Sequence, residues 1–193
     1  MDDLILASTS PRRRALLDSA GYRCKAVSPE FDEQSVMQLD APPALRAQWI
    51  ALAKAWTVAQ DYADCTIIAA DTLIACEGAV LGKPADRDDA QRILTRLFDR
   101  EQQVITAIAV AHPHHGQIVR HDVARVTIAH PGTDALTAYL ESDQWRGKAG
   151  GYNLPEVRDA WHIDLHGDPQ TVMGLPIAIL RAMLEPFAKE SPS

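Results

Sequence analysis

Three short stretches of this chain put charged side chains where apolar runs end. In STSPRRRALL, Arg12, Arg13 and Arg14 follow two serines and a proline, immediately after the apolar run Leu4–Ala7. A strand, a small-residue loop and a helix start leave backbone N–H groups and hydroxyls at the positive end of a helix dipole, which suits an anion. Arg12 and Arg13 add planar, two-pronged donors matched to phosphate oxygens. A solvated basic helix face is the plainer reading of the same residues. In TIIAADTL, Asp71 follows the apolar run Thr66–Ala70. A carboxylate at the end of a buried strand can hold a divalent cation or orient a water, and it can equally be a hydrogen-bonded strand terminator. In LGKPADRDDA, Lys83 stands between Gly82 and Pro84, so that a constrained turn aims the lysine; an ordinary exposed turn lysine is the alternative.

The overall charge makes these clusters more informative. Nineteen Lys and Arg against 26 Asp and Glu give a net charge of −7, which argues against a general binder of nucleic acid or anionic membrane. Cys24, Cys65 and Cys76 are odd in number and lack metal-ligand spacing, which suits reduced thiols in a cytoplasmic protein. Asp2 and Asp3 precede only four apolar residues, unlike a signal peptide, and no run reaches the roughly 18 apolar residues of a membrane span. A GxxxxGK[ST] loop is absent, which argues against a Walker-type kinase or GTPase.

The elements that must position these residues alternate between strands and helices. The pattern predicts strands at Leu4–Ala7, Arg23–Val27 and Thr66–Ala70, a hairpin of Thr72–Cys76 and Ala79–Leu81 around Glu77-Gly78, and strands at Val104–Ala111, Ile118–Ile128 and Trp161–Leu165. Helices are expected over Arg12–Ala20 with Gly21 as its stop, from Pro43 to near Gln60, after the cap Asp86, over Thr133–Leu140 and from about Ile177 to Phe187. Ser28–Gln34 reads as a polar loop. In the long helix, Leu45, Trp49, Leu52, Ala53 and Trp56 recur at helical spacing and read as its core face. The fold class is α/β with a mixed sheet, in a single compact unit over residues 1–193 with two lobes around a cleft.

Taken in series, STSPRRRALL, Asp32-Glu33, Lys54-Ala55, AADT, GKP, KAGGY and GDPQTVMGLP resemble the Maf-like nucleoside triphosphate pyrophosphatases in order and approximate spacing, over about residues 4–185. The resemblance implies an elongated α/β fold with a central cleft, shared broadly with inosine triphosphatase-like enzymes. It also implies a house-cleaning hydrolase of nucleotide metabolism that splits a nucleoside triphosphate between the α and β phosphates with a divalent metal, magnesium or manganese. By residue, it implies Ser8, Arg12 and Arg13 at the phosphates, Glu33 and Asp71 at metal and water, and Lys54 and Lys83 as further cations. PRR, ADT and GKP are closer to the branch acting on dTTP, UTP or modified pyrimidine nucleotides. The 7-methyl-GTP branch and a non-hydrolysing nucleotide-binding regulator, for example of septum formation, are the alternatives. Relatives imply a homodimer, with neither nucleic acid nor membrane as a partner.

Two departures bear on that expectation. Phe98-Asp99-Arg100-Glu101-Gln102 replaces a Ser-Gly-Arg-x-His stretch, so that only Arg100 matches, and Pro155 stands where relatives carry a glutamine after the KAG element. Proline offers no side-chain donor. Glu156, the next residue, either reaches into the vacated space or faces solvent. His112, His114 and His115 bracket Pro113 and read as an exposed turn rather than a metal site. Trp49 and Trp56 read as core; Trp145 and Trp161 stay open between core and the wall of a base pocket; Leu175-Pro176 reads as architectural.

Overall fold

The computed structural model describes residues 4–188; Asp2 and Asp3 fall outside them. Three short apolar or alternating runs form parallel strands: β1 (Leu4–Ala7) lies between β2 (Cys24–Val27) and the first half of β3 (Thr66–Cys76), with Leu4 opposite both Cys24 and Thr66. The remaining strands are β4 (Ala79–Leu81), β5 (Glu101–His112), β6 (Gly116–Ile128) and β7 (Ile163–His166). Their order is β2-β1-β3-β5-β6-β7, with β4 paired to β3. Parallel pairs at β1 and antiparallel pairs at β3–β4 and β6–β7 make the sheet mixed, as the hairpins interspersed among the elements imply.

The described chain gathers into two compact units. One takes in the chain up to Asp71, Thr106–Asp122 and the chain from Met173; the other takes in Thr72–Ile105 and Val123–Val172. In the first, α1 (Pro11–Ser19) and α8 (Ile177–Ala188) cover one face of β1 and β3, where Leu17, Leu180 and Met183 pack with Leu4, Leu6, Ile68 and Ala70. The short α2 (Glu33–Met37) packs on α3 (Pro43–Ala59), which contacts β1. Ile5, Ala7, Ile67 and Ala69, which alternate to the opposite face, are also buried. Burial on both faces is why these strands read as unbroken apolar runs.

α3 corrects the expected core face. Leu45, Trp49 and Trp56 are exposed, and the buried stripe is Ala47, Ile50, Ala51, Lys54, Ala55 and Val58. Two helical stripes compete in this sequence, and the tryptophans outweigh the alanines on any hydrophobicity scale. Small side chains win because they let the helix lie close against the sheet. Trp56 donates from its indole to Gln117 on β6. The Ser28–Gln34 loop is also shorter than expected, since Asp32 caps α2 by accepting from the Gln34 N–H at 3.0 Å and Glu33 is already helical.

The second unit is built around α4 (Arg87–Leu97), whose Ala90, Ile93, Leu94 and Leu97 are all buried and whose N-terminus is capped by Asp86, as expected. With it go α5 (Thr133–Glu141), a 3₁₀ turn at Ala149–Gly151, α6 (Leu154–Val157) and α7 (Pro169–Met173). The turn and the two short helices are too brief to leave a periodic signature. The hairpin turn falls at Glu77-Gly78, with φ of 49° and 76°, as its sequence indicates. Trp145 and Trp161 are core residues: the Trp145 indole donates to Leu140 O at 3.0 Å, and Trp161 packs edge-on against Phe98 and Tyr139. The last strand lies at Ile163–His166 rather than Trp161–Leu165, because Trp161 is drawn into that aromatic cluster.

Gly150 has φ of +67°, and a Cβ there would come within 2.6 Å of Ile74 Cδ1 and 3.3 Å of Leu97 Cδ1. Gly78 has a similar φ, +76°, with nothing within 4 Å. Gly78→Ala is therefore expected to cost about 1 kcal/mol for its left-handed backbone alone. Gly150→Ala adds overpacking and is expected to cost about 2–4 kcal/mol in urea unfolding; equal losses in the two variants would contradict this.

Candidate active site

Asp71 does not end its strand: β3 runs through it to Cys76. It shares the pleat of Ile67 and Ala69, the face opposite Ile68 and Ala70, and there it meets Lys54 from the buried stripe of α3. Lys54 Nζ lies 2.7 Å from Asp71 Oδ1 and 2.7 Å from Glu33 Oε1. The Lys54 and Asp71 side chains are each only 8% exposed, against 33% for Glu33, so Glu33 forms the watered side of the cluster. Three elements thus converge on one ammonium. Asp71 Oδ2 is buried with no hydrogen-bond partner, which is costly for a carboxylate oxygen and leaves it available to a cation or a water proton.

At the end of β1, the loop before α1 carries the second cluster. Ser8 is buried, and its Oγ accepts from the Ser10 N–H at 3.1 Å and from Arg13 Nη1 at 3.3 Å. Both lone pairs are then in use, so the hydroxyl hydrogen is left to donate. Ser8 is thereby a donor suited to an anion, not a nucleophile awaiting a base. Ser10 caps α1 by accepting from the Arg13 N–H at 3.5 Å, and Pro11 takes the first helical position. Arg12 and Arg13 are half-buried on the first turn. Burial holds the Arg13 guanidinium below the ordinary arginine range; Asp71 and Glu33 oppose that shift and Arg12 adds to it. It remains charged at neutral pH. Arg13 Nε donates to Gly174 O at 2.9 Å.

Six of the seven expected site residues, Ser8, Arg12, Arg13, Glu33, Lys54 and Asp71, therefore belong to one compact unit. Lys83 belongs to the other and is exposed. There the Gly150 N–H donates to Gly82 O at 3.0 Å, which joins the GKP and KAGGY stretches. Pro155 occupies the first turn of α6, where a missing N–H costs nothing, and the Glu156 carboxylate pairs with Lys148. Arg100 ties the β3–β4 turn to the end of α4: Nε donates to Glu77 Oε1 at 3.0 Å and Nη1 to Arg96 O at 3.0 Å. Gln102 is buried and accepts from the Tyr152 hydroxyl at 3.1 Å; burial raises the Tyr152 pKa strongly. His114 and His115 are exposed, but His112 is not: it closes β5, where its Nδ1 accepts from the His114 N–H at 3.1 Å.

A family model described as Maf-like protein matches residues 3–187. The chain belongs to the Maf-like protein family. It is 36% identical over 187 residues to a dTTP/UTP pyrophosphatase of Symbiobacterium thermophilum, covering 97% of this chain and 95% of that one. It is 37% identical over 188 residues to a dTTP/UTP pyrophosphatase of Moorella thermoacetica, covering 97% and 96%. Among solved structures, the Ham1 protein of Staphylococcus aureus aligns with a TM-score of 0.48 at 18% identity, over 66% of this chain and 72% of that one.

Among the described residues, no group of three or more His, Cys, Asp or Glu is arranged to hold a metal. Two carboxylates, one with an orphaned oxygen, do suit a hard cation that takes its remaining ligands from phosphate and water. The Glu33–Lys54–Asp71 cluster also sets a stability test. Lys54→Met leaves two acids without their common cation and is expected to cost about 3–5 kcal/mol in chemical unfolding at neutral pH. Adding Asp71→Asn to Lys54→Met should recover a large part of that loss; a double variant no more stable than Lys54→Met would show that the pair is not coupled.

Proposed function

We propose that this protein is a metal-dependent nucleoside triphosphate pyrophosphatase that converts dTTP, UTP or modified pyrimidine triphosphates to the monophosphate and pyrophosphate. The observation that carries the reading is the placing of a phosphate-suited donor set, Ser8 Oγ–H with Arg12 and Arg13, in the same unit as a buried carboxylate with an unsatisfied oxygen. Relatives at 36% and 37% identity over nearly the whole chain, both dTTP/UTP pyrophosphatases, support the reaction and the substrate class.

In this mechanism the arginines and the Ser8 hydroxyl bind phosphate oxygens and neutralise charge that would repel an attacking water. Asp71 Oδ2, with Glu33, orients that water and accepts its proton as the oxygen bonds to the α-phosphorus and the bond to the α–β bridging oxygen breaks. Lys54 pairs with one oxygen of each carboxylate and fixes their separation. A divalent cation, magnesium or manganese, would be held by Asp71 and Glu33 and would supply charge neutralisation and a more acidic water. Lys83 is assigned to the substrate from the family motif alone. The family resemblance supports a cytoplasmic homodimer. No helix among the described residues is long and apolar enough to cross a membrane.

Purified protein with Mg²⁺ or Mn²⁺ and a panel of canonical, modified and 7-methylated triphosphates tests this, with pyrophosphate and orthophosphate measured separately. Pyrophosphate from dTTP and UTP is expected. Orthophosphate alone, or binding without turnover, would sink the proposal. Asp71→Asn is expected to lower kcat by about 10²-fold or more, and Lys83→Ala to lower kcat/KM by about tenfold or more. Wild-type kinetics in the Lys83 variant would remove that residue from the reaction.

A further inference from the structure

The loop before α1 and the turn before α8 are separated by 161 residues between Arg13 and Gly174, yet one side chain joins them. Arg13 presents Nε to Gly174 O at 2.9 Å and Nη1 to Ser8 Oγ at 3.3 Å. Because the guanidinium is a rigid plane, fixing one of these donors fixes the direction of the other. The acceptor on the far side is a built feature: Gly174 is buried with φ of +97°, and Leu175, the next residue, is fully buried in the core beneath α8 with Leu180 and Met183. On the near side, the Arg13 contact takes the second lone pair of Ser8 Oγ, which leaves that hydroxyl a donor.

We infer that Arg13 is a positioning residue, whose guanidinium clasps the Met173–Pro176 turn to the loop before α1 and holds Ser8 in its donor orientation. Two of its N–H donors serve the protein itself, so its contribution to an anion site is to set the shape of that site as well as its charge. The consequence for phosphate rests on the pyrophosphatase reading, but the clasp is a property of the protein without nucleotide. Leu175 and α8 pass directly from the clasped carbonyl into the core, so releasing Gly174 should loosen the start of α8 before it loosens β1.

Hydrogen exchange followed by mass spectrometry on the full chain without nucleotide tests the clasp. Arg13→Met keeps the stem and removes every donor, while Arg13→Lys keeps the charge but cannot span both acceptors in one plane. Amides from Gly174 to Leu180 are expected to exchange at least about tenfold faster in the methionine variant and at least about threefold faster in the lysine variant. Ser8→Ala leaves the bond to Gly174 in place and is expected to leave their exchange unchanged. Should the methionine variant not fold, the lysine variant decides alone, and a change below about threefold there overturns the clasp. In the kinetic arm, Arg13→Lys is expected to lower kcat more than it raises KM for dTTP, as misplacement of the site would. A simple loss of phosphate affinity, with wild-type exchange, would overturn the clasp and leave Arg13 a phosphate ligand alone. If the wild-type protein hydrolyses no nucleotide, the pyrophosphatase reading fails while the exchange result still decides the clasp.

Discussion

An ammonium held between two carboxylates organises the first unit. Lys54 occupies a core position of α3, where an aliphatic residue would be cheaper to bury. Its charge is tolerable only with Asp71 Oδ1 and Glu33 Oε1 both at 2.7 Å, and that condition constrains three elements at once. β3 must bring Asp71 to the pleat facing α3, α3 must turn its alanine stripe toward the sheet, and α2 must begin at Glu33. A buried ion cluster adds little net stability over a packed apolar one.

The sheet supplies the second constraint. Parallel pairing of β1 with β2 and β3 places the loop carrying Ser8 at the end of β1 and Asp71 just beyond the paired segment of β3, the edge of an α/β sheet where ligands bind. β1 and the paired segment of β3 are buried on both faces. The polar residues at that edge are organised by one another: Ser10 and Arg13 donate to Ser8, Gly174 accepts from Arg13, and Lys54 pairs with one oxygen of each of two acids.

In the second unit, the stretches Phe98–Gln102 and Asn153–Glu156 are held by local contacts. Arg100 spans the β3–β4 turn and the end of α4, and Gln102 receives the buried Tyr152 hydroxyl. Glu156 pairs with Lys148 of the KAGGY stretch, so the turn carrying Pro155 has an ion pair of its own. Among the described residues, the amide nitrogen of Gln102 is buried with no partner, a loose end of the Phe98–Gln102 stretch.

Much of this was legible in the sequence because it depends on neighbours along the chain. The capping of α4 by Asp86, the apolar face Ala90–Ile93–Leu94–Leu97, the Glu77-Gly78 turn and the run Leu4–Ala7 each follow from local spacing and backbone chemistry. The charged motifs could likewise be picked out one by one, and a lysine within the alanine stripe of α3 was a signal that the tryptophans obscured. Tertiary structure alone decided which stripe of α3 was buried, that Asp71 lies within a strand, and that His112, Trp145 and Trp161 belong to the interior. It also decided the roles of Gly174 and Gly82, which act through backbone carbonyls that no residue type announces. The physical reason is the same in each case: a periodic pattern specifies a face, but only the packing partner determines which of two faces is covered and which distant acceptor a donor finds.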